Sequence, residues 1–554
     1  MRPFTHMRTV AALLFSLLLI GCSKSQKPAD PAASEIRRLL ATERGAIQLA
    51  QAADSLLSPE LLRLFYEPRE FDPAWSDASG TLASVDSLRA VVRSADREGL
   101  EPREYHIDAI DALAAKLQVS DQEALLSIRA ELDLLLSEAF MLYACHMTEG
   151  KVDRDSLRLR RSFGREKRWY AELLERAVGS QNVGSTLGSL APAHSWYRTL
   201  RDLLGHFQAQ AKIGMSSHVP SGSAIRPGET GRSVFALRNR LLALGDLHPR
   251  SGSTSDEYDS TLVDAVRIFQ KRHGYEPSGV ADSATIAALN VRPQKRVDQI
   301  KATMERWRWM PHALGRKHVI INIPDFKLSV VESGRAVLTM KVVLGLPNWQ
   351  TPVFSSAMEQ VLFNSPWMAP EDIVEKELIN YMKADSNYLP SNNMSLWRRS
   401  GDSLVRIDPR TINWSEMTPE KIDFFLRQEG GPQNIMGQVK FLIPNKYNVY
   451  LHDTPYREDF PKNVRMFSHG CIRLEKPLDF AEDILQQFPE WTRARIDTVV
   501  AHKTENSIRL RKTIPVHVVY STIWTANDGS IQLRDDYYGL DRRLSELMRQ
   551  TPRR

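Results

Sequence analysis

The sequence predicts a multidomain α+β protein: an α-helical N-terminal scaffold, a compact three-helix unit, and a mainly β C-terminal half carrying a helical insertion. Three observations lead there. Apolar residues recur at spacings of three and four from Glu35 to about Lys212, and three short amphipathic segments follow within 228–292. Beyond Arg296 the period changes to β-branched runs broken by Pro and Gly. At 554 residues the chain can hold three or four cores of its own.

At the N-terminus, Arg2 and Arg8 precede an apolar run from Val10 to Ile20 that Gly21-Cys22 closes. The run is too short to span a bilayer and has the length of a signal-peptide core. Leu19-Ile20-Gly21-Cys22 resembles a bacterial lipobox. That resemblance implies cleavage before Cys22, lipidation of Cys22, and a periplasmic protein anchored to the outer or cytoplasmic membrane. Ser23 in the next position favours the outer membrane. Residues 1–22 are therefore read as signal peptide and 23–34, rich in Lys, Ser, Pro and Ala, as a tether.

Residues 35–212 form the helical scaffold. Leu56, Leu57, Leu61, Leu62 and Leu64 mark one apolar stripe, and Leu132, Leu135, Phe140 and Leu142 another. Cys145, beside His146 on that second helix, reads as a buried structural thiol. The basic run from Arg158 to Lys167 reads as a solvated face. Gly214 to Glu229 is Ser-, Gly- and Pro-rich and reads as a linker.

In 228–292, Val234, Leu237, Leu241 and Leu244 form one face, and Leu262, Val266 and Phe269 a second. A third segment starts from Asp282 as N-cap and runs through Ile286 and Leu289. Ala265-Val-Arg-Ile-Phe-Gln270 and Gly279-Val-Ala-Asp-Ser-Ala-Thr-Ile-Ala-Ala-Leu-Asn290 resemble the small three-helix peptidoglycan-binding domain, which implies targeting to the wall.

The β half spans 317–515. Its strands are read at Val319–Ile323, Leu328–Val331, Val337–Val343, Gln360–Phe363, Val439–Ile443 and Asn448–Leu451. An insertion at about 372–431, helical at first and polar in the middle, interrupts them; one so large marks a cover over a site. Val516–Tyr520 and Ser530–Leu533 in 516–554 are read as C-terminal strands packing on this half.

A formal charge of +6, from 73 basic and 67 acidic residues, does not call for nucleic acid. Three cysteines are too few for a disulfide framework and too scattered for a zinc site. Cys471 stands out because of its setting in Ser468-His469-Gly470-Cys471-Ile472-Arg473. Fifteen residues separate Ser468 from His452, which ends a strand before Pro455 turns the chain away. Gly470 permits a sharp turn that exposes Cys471, and Pro477 starts a helix just beyond.

A thiol attacking a carbonyl needs a base that takes its proton and later protonates the leaving amine, which suits an imidazole. No Asp or Asn is uniquely placed to orient that ring, so a backbone carbonyl is the candidate acceptor, that of Asp453 in particular. The backbone N–H groups of Gly470 and Cys471 are the candidate oxyanion donors.

His452, fifteen residues and then Ser468-His-Gly-Cys471 resembles the signature of the L,D-transpeptidases, the YkuD-type catalytic domain. Glu305-Arg-Trp-Arg-Trp309, Thr351-Pro352, Phe441-Leu-Ile-Pro-Asn445 and Leu451-His-Asp-Thr-Pro455 match the large multidomain branch with an inserted capping subdomain. The resemblance implies a YkuD-type sandwich with Cys471 as nucleophile and His452 as general base and acid. Ser468, His469 and Gly470 would shape the turn and oxyanion site.

The usual Asn two places after the cysteine is Arg473 here. Two roles stay open for it: binding a stem-peptide carboxylate, or holding the loop to a neighbouring acid. The implied activity is formation of 3→3 peptidoglycan cross-links through a cysteine acyl-enzyme, and the same resemblance implies no metal or other cofactor. Donor and acceptor stem peptides are the implied partners, with a peptidoglycan synthase as a further candidate. Hydrolysis by an L,D-carboxypeptidase, exchange with a D-amino acid, and a catalytically silent wall-binding scaffold are the alternatives.

Overall fold

The computed structural model describes residues 30–41, 47–77, 80–118, 122–153, 158–159, 167–214, 217–248, 255–526 and 528–550. The signal peptide, Cys22, most of the tether and the Arg160, Arg161 and Arg165 part of the basic run lie outside these residues. No described helix is long and apolar enough to cross a membrane.

The first described helix, Pro31–Leu40, starts inside the segment read as tether. Asp30 caps it by accepting from the Ala32 N–H at 2.9 Å, and Pro31 sits at the first helical position, where its missing donor costs nothing. The scaffold is built round the helix Gln122–Glu149, whose Leu134, Leu135, Ala139 and Phe140 are fully buried. Its buried acids also serve the surrounding loops. Glu131 accepts from the backbone of Gln51 and Ala52, Glu138 from Leu57 and Ser58, and Asp133 from Ala74 and Trp75. Loops without repetitive structure thus find partners for buried N–H groups. Cys145 is buried on this helix, 2 % exposed.

The three-helix unit comprises Arg232–Leu244, Ser260–Arg272 and Ser283–Leu289, with Asp282 accepting from Thr285 N–H as N-cap. Part of the segment read as linker belongs to it. Val219 and Ile225 are buried in the unit's core, and Asn290 bonds both backbone groups of Val219.

The helix Pro293–Arg308 joins this unit to the β half and ends in Glu305-Arg-Trp-Arg-Trp309. That motif is a structural junction. Glu305 pairs with Arg308 at 2.7 Å with both side chains fully buried, and accepts from the Val152 N–H of the scaffold. Arg306 meets Asp541 of the C-terminal helix Leu540–Arg549 at 2.5 Å, and Trp309 donates to Val152 O. Buried charges are held only where paired in this way.

Nine strands form the main sheet: β1 Lys317–Asn322, β2 Lys327–Glu332, β3 Arg335–Gly345, β4 Phe354–Phe363, β5 Val439–Leu442, β6 Leu451–His452, β7 Met466–Ser468, β8 Ile472–Leu474 and β9 Asn506–Val519. Their order is β7-β3-β8-β6-β5-β4-β9-β1-β2, and β2 also pairs with β3, so the sheet closes on itself. Closure leaves the long β3 shared between both ends and removes most free edges. Inside, Val319, Leu328, Val342, Phe441, Leu451 and Ile472 pack with Phe480 and Ile484 of the helix Pro477–Leu485.

Three boundaries differ from the sequence reading. The strand expected at 516–520 is the end of the single strand β9, so a division at 515 would cut a fourteen-residue strand. The hairpin Ile523–Thr525 and Ile531–Leu533 packs on helices Ser195–Ile213 and Pro293–Arg308 together with Ile320 of β1 and Val519 of β9, so it bridges those helices and the sheet. The strand read over 448–451 is reduced to Leu451–His452, because Asn448 turns left-handed at φ 56°.

The insertion has a core of its own, with Trp367, Leu378, Leu396, Leu426 and Met436 buried together. It starts helical, as expected, but adds a four-stranded sheet ordered 367–368, 425–428, 394–400, 403–407. Its central hairpin turns at Gly401-Asp402, in a segment too polar to show a buried face. The folded unit therefore reaches beyond 372–431 at both ends.

Candidate active site

Strand alternation builds the site. In β5, β6 and β8 the residues Val439, Phe441, Leu451, Ile472 and Leu474 face the core, which sends Lys440, His452 and Arg473 to the opposite face. Lys440 pairs with His452 across the antiparallel β5–β6 ladder, and His452 pairs with Arg473 across the parallel β6–β8 ladder. The three side chains form one row. Cys471, two residues before Arg473, returns to the same face just before β8 begins, and the Ile472 N–H donates to Tyr450 O at 2.9 Å to fix that register.

His452 is 3 % exposed. Its Nδ1 donates to the Asp453 carbonyl at 2.5 Å, which leaves Nε2 as the basic nitrogen. Burial, then the charge of Arg473, pull its pKa down to about 3, so the imidazole is neutral at rest. Asp453 itself is held by the Gln438 N–H at 2.9 Å, and Gly437, with φ 64°, lies where any side chain would collide with it. The acid thus locks the backbone whose carbonyl aligns the ring.

Cys471 is partly exposed. Desolvation pushes its thiol pKa up, against a hydrogen bond from the backbone of Tyr450 and the charges of Lys440 and Arg473. The resting pair is therefore thiol and neutral imidazole.

The turn before Cys471 is clamped from two sides. Ser468 Oγ donates to Cys471 O at 2.6 Å and accepts from the Gly470 N–H at 3.2 Å. Thr351 Oγ1 donates to Gly470 O and accepts from the Gly345 N–H, both at 2.9 Å. Gly470 has φ 104°, a conformation that other residues rarely adopt. The expectation of two oxyanion donors is corrected here. The Gly470 N–H is engaged by Ser468, whereas the Cys471 N–H has no acceptor among the described residues.

His469 points away from this chemistry. Its Nε2 donates to Glu377 Oε1 at 2.8 Å, and its ring meets Trp349 edge-on at 5.2 Å. Lys376 lies over the same Trp349 at 4.5 Å. Lys376 and Glu377 belong to a wide π-turn, Val374–Leu378, so the insertion is tied directly to the nucleophile loop. Arg473 is buried, lies over the Tyr456 ring at 5.2 Å and reaches Asp459 at 3.4 Å. Of its two roles, the contacts present are those that hold the loop.

Lys440 and Thr351 were not named as site residues from sequence. Register with His452 is the signal for Lys440, and it exists only once β5 and β6 are paired. No group of three or more His, Cys, Asp or Glu side chains among the described residues is arranged to hold a metal.

Comparison with known proteins gives this architecture its class. Residues 316–500 match the family described as "L,D-transpeptidase catalytic domain". Residues 230–289 match "Putative peptidoglycan binding domain", and 60–204 match "Scaffold domain". The chain thus combines a region that matches the L,D-transpeptidase catalytic domain with preceding regions that match a scaffold domain and a putative peptidoglycan binding domain.

A curated relative from Haemophilus influenzae (strain ATCC 51907 / DSM 11121 / KW20 / Rd), named "Putative L,D-transpeptidase", is 35% identical over 227 residues. The match covers 41% of this chain and 45% of the relative, so the chain spans about half the length of the curated relative it matches. Among solved structures, an L,D-transpeptidase from Mycobacterium smegmatis is similar at 12% identity, covering 37% of this chain and 58% of the other, with a TM-score of 0.18. One from Stackebrandtia nassauensis is similar at 14% identity, covering 55% and 97%, with a TM-score of 0.20.

Proposed function

We propose that the protein is an L,D-transpeptidase that forms 3→3 peptidoglycan cross-links through an acyl-enzyme on Cys471. The observation that carries this reading is the placement of Cys471, after the left-handed Gly470, on the same sheet face as a neutral His452 whose Nδ1 is committed to the Asp453 carbonyl.

In the first half-reaction Cys471 Sγ attacks the carbonyl of the third residue of a tetrapeptide stem, a diamino acid, as its proton passes to His452 Nε2. The Cys471 N–H faces the developing oxyanion. Collapse breaks the amide bond to the fourth residue, and the departing D-Ala amine takes the proton from His452, leaving a thioester. In the second half-reaction the side-chain amine of a diamino acid on another stem attacks the thioester. His452 takes the amine proton and returns it to the leaving sulfur, and a new amide joins two third residues. Resting neutrality suits both halves, because the imidazole must accept a proton before it gives one.

Cys471→Ala incubated with purified muropeptides and followed by mass spectrometry tests the reading. Wild type should release D-Ala and yield dimers, and the variant neither. Dimers from the variant would remove Cys471 as nucleophile. Tripeptide monomers alone from wild type would make the enzyme a carboxypeptidase, and silence of wild type would leave a wall-binding scaffold. The same reading places the chain at the periplasmic face of the wall, lipid-anchored through Cys22. The intact mass of membrane-extracted protein checks this, since an unlipidated Cys22 would sink the anchor.

A further inference from the structure

A second charged side chain sits in the row that carries the imidazole, and it has no counter-ion. Lys440 is half-buried, directly opposite His452 in the β5–β6 ladder, with its ammonium 3.7 Å from the centre of the Tyr450 ring. Among the described residues no carboxylate lies within 4.0 Å of its nitrogen. Arg473, at the far end of the row, differs: Asp459 and Tyr456 occupy it. The cations nearest the thiol are therefore one that is engaged and one that is free. A half-desolvated ammonium resting on an aromatic face is partly compensated, and an anion there completes it.

We propose that Lys440 is the donor-site specificity residue, binding the free C-terminal carboxylate of the residue that leaves when Cys471 is acylated. This rests on the transpeptidase reading above. The geometry of the leaving residue supports it. Three bonds separate the attacked carbonyl carbon from the carboxylate carbon of the terminal D-amino acid, so the two lie within about 4 Å of each other. Lys440, opposite His452 in the row that Cys471 joins, thus lies on the side of the sheet where that carboxylate sits when the carbonyl is in place.

Lys440 does act on the thiol: its charge favours the thiolate of Cys471, and Cys471 in turn favours the ammonium. Pairing with the carboxylate would also remove part of the positive field that Lys440 exerts on His452. The imidazole would then become a better base only when a donor with a free terminus is bound. Donors already cross-linked or capped at that position would be discriminated against by the same contact, because they leave the ammonium unpaired.

The test uses the full-length protein and two tetrapeptide donors that differ only at the C-terminus, a free acid and a primary amide. Release of D-alanine or D-alaninamide is followed with wild type, Lys440→Met and Lys440→Arg. Wild type should favour the acid by about 10–100-fold in kcat/KM, and Lys440→Met should lose that preference, through a rise in KM for the acid that the amide does not share. Lys440→Arg should restore part of the preference. Equal use of both donors by wild type would overturn the proposal whatever the variants do. Equal losses on both donors in a Lys440→Met protein that melts like wild type would also overturn it, assigning Lys440 to the thiol alone. If wild type released neither product, the transpeptidase reading itself would fail and take this role with it.

Discussion

Thr351 is 1 % exposed, and its hydroxyl joins the turn after β3 to the nucleophile turn through two bonds of 2.9 Å, from Gly345 N–H and to Gly470 O. Thr351→Val keeps the branched shape and removes both bonds, leaving one buried donor and one buried acceptor. Each such group costs about 1–3 kcal/mol, so the catalytic domain should lose roughly 2–6 kcal/mol. For a domain of this size the low end corresponds to a fall of about 4–8 °C in Tm. Gly470 also loses one of the two clamps on its turn, and Cys471 follows it directly. Misplacing a reacting atom by about 1 Å can cost about 100-fold, so acylation should slow by about 10–100-fold. Thermal unfolding and the rate of Cys471 acylation by a β-lactam probe measure the two effects, with Thr351→Ser as the variant that keeps the hydroxyl. A Thr351→Val protein that melts and acylates like wild type would refute the reasoning. So would a Thr351→Ser protein that loses as much as Thr351→Val.

Two further outcomes concern pH. In the scaffold, His106 lies between Asp54 at 2.9 Å and Glu138 at 3.0 Å; burial opposes its charge, but the two carboxylates outweigh it and carry its pKa up to about 9. Its folded pKa exceeds the unfolded value of 6.5, so its contribution, roughly 3 kcal/mol, is complete below pH 6.5 and is lost as pH rises through about 9. The scaffold transition in urea should weaken over that window in wild type and stay flatter in His106→Gln, and equal slopes would contradict the assignment. At the active site, alkylation of Cys471 by iodoacetamide should climb above pH 9 with no step near 6.5, because the thiol is raised from 9.0 and His452 is already neutral. A step near neutrality, read by peptide mass spectrometry, would instead show a thiolate–imidazolium pair at rest.

Much of the fold was legible because its signals are periodic and local. The apolar stripe through Leu132, Leu135 and Phe140 could only be a buried helix, and Asp282 before Ile286 and Leu289 could only start one. The closed sheet was not legible. That β3 pairs with β7 and β8, and β1 with β9, depends on contacts between distant strands, and alternation names a face without naming a neighbour. The insertion's sheet escaped for another reason: its hairpin at 394–407 is largely exposed, so burial left no clear pattern in it.

The sequence by itself singled out the candidate pair, Cys471 and His452, because a glycine turn, a strand end and a fixed gap are all properties of consecutive residues. It also pointed to a backbone carbonyl as the partner of the imidazole. Only the tertiary structure decided what surrounds that pair. Glu377 reaches His469 from 92 residues away, Thr351 reaches Gly470 from 119, and Lys440 joins the row through strand register alone. These contacts rest on pairing and packing across the chain, and no local pattern of residues encodes which distant side chain will arrive.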